Sequence, residues 1–142
     1  MEESPLRPAG RRILVVEDEA DVSRAFAEML EHLGYSSVVC HSAEEAFNLF
    51  HAPAFDLLLV DYRMPDMTGL DLVFMLRQEG YKVPVIIVTG HPATQDRITS
   101  KDLGVFAILK KPVSAPQLAI AIEETLKKAS DAELKVDQAS PA

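Results

Sequence analysis

The sequence predicts an α/β fold: a five-stranded parallel sheet, doubly wound, with five helices on its two faces. Three observations carry this. Strand and helix signals alternate five times along the chain, the pattern of consecutive βα units with right-handed crossovers. Ile13–Val16, Leu57–Val60 and Val85–Val88 are unbroken apolar runs, as expected of strands covered on both faces. The 142 residues, 48% hydrophobic, are enough for one domain with a substantial core.

The elements follow in order. Residues 1–11 carry Pro5 and Pro8 and little apolar content, and are read as a disordered leader. The first strand, Ile13–Val16, runs into Glu17-Asp18-Glu19. Val22, Phe26, Met29, Leu30 and Leu33 then make the stripe of a first helix, stopped by Gly34. Ser36–Cys40 is a weaker strand, placed near a sheet edge. Ala43, Ala46, Phe47 and Phe50 line a second helix, with Ser42 and Glu45 as its capping box. The third strand ends at Asp61, and Gly69, Leu72, Val73 and Leu76 line a third helix ended by Gly80. After the strand Val85–Val88, residues 93–102 form a fourth helix whose one strong apolar anchor is Ile98. Few anchors make it the most weakly held element. Ala107–Leu109 is a second weak strand, again near an edge. Leu118, Ile122 and Leu126 line the last helix, which Ser114 and Gln117 cap. Residues 130–142 lose helical periodicity and end in Ser-Pro-Ala, so they read as a disordered tail and leave 12–129 as the folded domain.

Composition narrows the function. A net charge of −8 argues against direct nucleic-acid binding, which needs a basic surface. No apolar stretch approaches a membrane span, the N-terminus lacks the apolar core of an export signal, and the lone Cys40 suits a reducing compartment. The expected location is the cytoplasm.

Chemistry collects at the carboxyl ends of the strands, the edge where open parallel sheets bind ligands. Asp61 closes one apolar run, Glu17-Asp18 another, Thr89 a third and Lys110-Lys111-Pro112 a fourth. Singly, each has a plain explanation: acids opening a helix, a loop cap, a solvated lysine. Together they put carboxylates, a hydroxyl and an ammonium around one point. Three ionised carboxylates repel one another unless a hard divalent cation holds them. Mg²⁺ would take Asp18 and Asp61 directly, Glu17 through water and the backbone carbonyl of Arg63. Asp61 would then be a nucleophile toward phosphorus, with Mg²⁺ and Lys111 neutralising the phosphoryl oxygens and Thr89 donating to one. Gly90 leaves room for the group, and His91 reads as merely exposed. His32, His41 and His51 lack metal-ligand spacing, and neither a Walker sequence nor a GxGxxG appears. A haloacid-dehalogenase-like hydrolase would need a second aspartate where Arg63 stands.

Val-Val-Glu-Asp-Glu, Leu-Val-Asp-Tyr-Arg-Met-Pro-Asp-Met-Thr-Gly-Leu, Ile-Val-Thr-Gly-His and Leu-Lys-Lys-Pro together resemble the receiver domain of bacterial two-component response regulators, over about Arg12–Ala129. The resemblance implies a flavodoxin-like strand order, 2-1-3-4-5. It implies that Asp61 accepts a phosphoryl group from a phosphohistidine on a sensor histidine kinase or a histidine phosphotransfer protein. It further implies that Glu17 and Asp18 hold Mg²⁺, and that Thr89 and Lys111 read the phosphate. Such a chain catalyses only its own phosphorylation and dephosphorylation. It signals to a downstream protein, or to a second copy of itself, through the face of the fourth helix, fifth strand and fifth helix. Two positions depart from the family: Glu17 stands where Asp is commonest, and Ile108 where an aromatic switch residue is usual. By strand alternation Phe106 would share the face of Ile108. The competing reading is a receiver-like binding module that works without phosphate.

Overall fold

The apolar runs become the buried centre of one sheet because each of their side chains has a covered face to meet. The computed structural model describes residues 11–50, 55–91 and 103–139. Strands β1 (Arg12–Val16), β2 (Ser36–Cys40), β3 (Leu57–Asp61), β4 (Val85–Thr89) and β5 (Val105–Lys110) pair in parallel in the order β2-β1-β3-β4-β5. The two weakest runs are indeed the edges. Four helices stand among the described residues: α1 (Ala20–His32), α2 (Ala43–Leu49), α3 (Gly69–Gln78) and α4 (Ala115–Ala139). The helix expected at 93–102 and the leader up to residue 10 lie outside the described residues, so α4 is the helix read as fifth in the sequence.

Strand alternation divides the core into two layers. Leu14, Val16, Leu58, Val60, Val85 and Ile87 pack with the apolar faces of α2 and α3, including Ala46, Leu72, Val73 and Leu76. Ile13, Val15, Leu57, Leu59, Ile86 and Val88 pack with Phe26 and Leu30 of α1 and with Leu118 and Ile122 of α4. The sheet is therefore wound on both sides. Gly34 and Gly80 take positive φ, 96° and 92°, just past α1 and α3, the left-handed geometry that ends a helix cheaply only at glycine.

Three local details differ from the sequence reading. Ser42 Oγ accepts from Glu45 N–H at 3.2 Å, but the Glu45 carboxylate reaches back to His41 N–H at 2.7 Å rather than to the cap residue itself. In β5 the pairing moves from Val85–Val105 to Ile86–Ala107, so Phe106 is an extra residue that breaks the alternation. Val105, not Phe106, joins Ile108 against the α2/α3 layer. Finally, α4 continues to Ala139, past the boundary that its apolar spacing indicated. From Ser130 to Ala139 no Gly or Pro interrupts a run rich in Ala, Glu, Lys, Leu and Gln, so propensity carries the backbone on where the apolar stripe stops.

Candidate functional site

Register brings the four strand ends together. Val16 pairs with Val60 and with Cys40, Asp61 with Val88, and Thr89 with Lys110, so the residues that follow β1, β3, β4 and β5 open onto one edge. There, carboxylate oxygens of Glu17, Asp18 and Asp61 all lie within 4.8 Å of one another. The Lys111 ammonium is 3.1 Å from Asp61 Oδ2, to which it donates, and 3.1 Å from Glu17 Oε1. Glu17 and Asp61 are buried, while Asp18 is exposed at the rim.

Burial sets the protonation chemistry. Glu17 is 1% exposed, and desolvation pushes its carboxyl up to about 7, opposed by the Glu19 N–H that donates to Oε2 and by Lys111, and reinforced by the charge of Asp61. Burial by itself would lower the Lys111 ammonium. The hydrogen bond to Asp61, the contact with Glu17 and both charges more than offset that, and its pKa is raised. Among the described residues the contact at Glu17 Oε1 is the Lys111 ammonium, 3.1 Å away and shared with Asp61. Three carboxylates served by a single ammonium, two of them buried, are the oxygen donor set a hard cation such as Mg²⁺ requires. The residues present fit that ion.

Thr89 is buried at the end of β4. Its Oγ1 accepts from His91 N–H at 3.2 Å, which leaves the hydroxyl proton available to an incoming group. A side chain added at Gly90 would meet nothing within 4 Å, so the space beside Thr89 is open. Arg63 follows Asp61 in the loop and pairs with Thr68 in an isolated antiparallel bridge. Its side chain and that of His91 are exposed. Ile108 is half-buried against the α2/α3 layer.

The model of the response regulator receiver domain family matches residues 13–123. The chain belongs to that family. As a receiver it is 36% identical over 115 residues to the alginate biosynthesis transcriptional regulatory protein AlgB of Pseudomonas aeruginosa, covering 81% of this chain and 26% of that one. It is 33% identical over 132 residues to the transcriptional regulatory protein CpxR of Escherichia coli, covering 92% of this chain and 56% of CpxR. The chain thus spans between a quarter and rather more than half of these curated relatives. A receiver domain protein from Clostridium thermocellum superposes with a TM-score of 0.77 at 29% identity, over 84% of this chain and 97% of its own. A CheY-like receiver from Methanospirillum hungatei gives 0.79 at 28%, over 85% and 97%.

Some residues of this receiver's site were not singled out in the sequence. Gly69 opens α3 directly beneath the acidic cluster: a Cβ there would stand 2.7 Å from the Asp61 carbonyl oxygen and 3.3 Å from Val60 Cγ2. The Gly in the loop motif is the signal, and its reason is close backbone approach. His41 and Asp66 also reach the site's loops. His41 Nδ1 lies 3.0 Å from the Glu17 carbonyl oxygen, and the Asp66 carboxylate accepts from Ala43 and Glu44 N–H at 3.3 and 3.1 Å. His41, which lacks metal-ligand spacing, meets the site through a main-chain carbonyl.

Among the described residues no helix is long and apolar enough to cross a membrane.

Proposed function

We propose that the chain is a phosphorylation-dependent response regulator acting in the cytoplasm, with Asp61 as phosphoacceptor. One Asp61 carboxylate oxygen attacks the phosphorus of a phosphohistidine on a sensor histidine kinase or a histidine phosphotransfer protein. The O–P bond forms as the P–N bond breaks, and the departing imidazole takes up a proton. The observation that carries this is the triad of carboxylates within 4.8 Å of one another, faced by one ammonium 3.1 Å from two of them. Mg²⁺, when bound, supplies charge neutralisation at the phosphoryl oxygens. Glu17, Asp18, Asp61 and the backbone carbonyl of Arg63 would hold it.

The chain's own groups do the rest. Lys111 already pairs with Asp61 and needs only a small swing to follow the new phosphoryl oxygens. Thr89 offers its free hydroxyl proton into the open space above Gly90. These contacts draw on the carboxyl ends of β4 and β5, and the signal then passes to a downstream protein, or to a second copy, through the face of β5 and α4; the fourth helix expected beside them lies outside the described residues. AlgB and CpxR are transcriptional regulatory proteins, but with a net charge of −8 this chain is read as signalling by protein contacts, without touching nucleic acid directly.

Incubation with Mg²⁺ and acetyl phosphate, followed by intact-mass spectrometry, tests the proposal. One phosphoryl addition is expected, dependent on Mg²⁺ and absent in Asp61→Ala. An unmodified wild-type chain would favour the phosphate-independent binding module.

A further inference from the structure

We infer that His41 and Asp66 are positioning residues for the cation site: together they clamp its two acid-bearing loops to the β2–α2 corner. The inference rests on the proposed Mg²⁺ reading but concerns groups that touch neither ion nor phosphate.

The corner grips Glu17 along its main chain from both sides. Glu17 N–H donates to the Cys40 carbonyl at 3.0 Å, and the Glu17 carbonyl lies 3.0 Å from His41 Nδ1. A carbonyl oxygen can only accept, so Nδ1 carries the proton. The His41 main chain is itself held, since its backbone N–H donates to Glu45 Oε1 at 2.7 Å while Glu45 N–H is held by the Ser42 cap at 3.2 Å. On its other flank the corner receives Asp66, whose two carboxylate oxygens take the N–H groups of Ala43 and Glu44. Asp66 belongs to the loop that leaves Asp61 and carries Arg63. The β1–α1 loop and the β3–α3 loop are therefore fastened to a common support, on the side of the sheet edge away from Lys111.

The support matters because Mg²⁺ demands near-ideal octahedral geometry at short ligand distances. Glu17 and Asp18 must stand at a fixed spacing from Asp61, and the strands fix only the residues before them. Asp18, one peptide beyond the Glu17 carbonyl, is exposed at the rim of the cluster. Its direction is set by the main chain that His41 holds. Groups that orient the ligands of a metal typically influence affinity about 10- to 100-fold.

Isothermal titration of the full chain with MgCl₂ tests this, alongside urea unfolding in EDTA. His41→Leu, which keeps bulk and removes the donor, should weaken Mg²⁺ about tenfold. His41→Asn, whose amide N–H can occupy the place of Nδ1–H, should restore affinity to within about twofold. Asp66→Ala approaches the clamp from the opposite loop and should weaken Mg²⁺ as well, a check that holds even if a His41 variant fails to fold. His41→Leu and Asp66→Ala should also lower the urea midpoint without metal, as lost hydrogen bonds do, so the return of Mg²⁺ affinity in His41→Asn is the readout that a merely structural role would not move. Wild-type affinity in both His41→Leu and Asp66→Ala would overturn the clamp alone, and so would an Asn variant as weak as the Leu variant. A wild-type chain that takes up no Mg²⁺ would overturn the cation site and the clamp together.

Discussion

Replacing Glu17 with glutamine should stabilise the metal-free chain, and increasingly so as the pH rises. Glu17 is 1% exposed, and burial raises its carboxyl from the ordinary 4.5 to about 7 in the folded chain. A raised folded pKa means that the protonated form is the one the fold favours. Its contribution is fully present below 4.5 and is lost as the pH climbs through 7. The loss amounts to about 3 kcal/mol once the pH is well above 7. Glutamine keeps the size and can still accept from Glu19 N–H, but it gives up the ion pair with Lys111, which trims the net gain to about 2 kcal/mol. For a chain of this length that is a rise in melting temperature on the order of 5–10 °C.

Urea unfolding in EDTA, wild type against Glu17→Gln, measures the effect near pH 5 and near pH 8. The difference between the two chains should grow by about 2 kcal/mol across that interval. Comparing difference with difference removes the titrating groups that do not interact with Glu17. Adding Mg²⁺ should reverse the order, because a site loaded at a hundred times its dissociation constant adds about 2.7 kcal/mol to the wild type and little to a variant that has lost one ligand. A stability difference that stays flat with pH would refute the claim that Glu17 is a strained, buried carboxylate at the site.

Lys111→Met keeps the stem and removes the ammonium that sits 3.1 Å from both Glu17 and Asp61. Because that side chain is 23% exposed, unfolding in EDTA near neutral pH should show a loss of only about 1–2 kcal/mol, while acetyl phosphate with Mg²⁺ still adds mass. Gly69→Ala places a Cβ against the Asp61 carbonyl, which as backbone cannot yield cheaply. Chemical denaturation should show a loss of about 1–3 kcal/mol, with weaker Mg²⁺ binding because Asp61 is pushed. Arg77→Met removes a half-buried guanidinium, its pKa lowered by burial, that donates to the carbonyls of Leu103 at 2.8 Å, Tyr81 at 3.1 Å and Gly104 at 3.5 Å. Hydrogen exchange should quicken at residues 103–106 and stability fall by about 1–3 kcal/mol, with Mg²⁺ affinity unchanged.

What the sequence discloses and what it hides divide along a physical line. Asp61, Thr89 and Lys111 are legible because each stands at the end of an apolar run, and in a parallel sheet the run itself dictates the edge to which its last residue is delivered. The helix stripes of α1, α2 and α3 are legible for the same reason, since burial of one face enforces the spacing. Where burial stops dictating, reading fails. Ser130–Ala139 has no apolar stripe, yet the helix continues on propensity. The extra residue in β5 answers to pairing with β4, not to anything within Val105–Lys110. The partners of the site are hidden most deeply. Nothing local couples His41 to Glu17 or Asp66 to Ala43; the pairs are 24 and 23 residues apart and meet only because β2 flanks β1 and the loop after β3 crosses to α2. Strand order, then, is what brings a loop histidine with no ligand spacing against the Glu17 carbonyl.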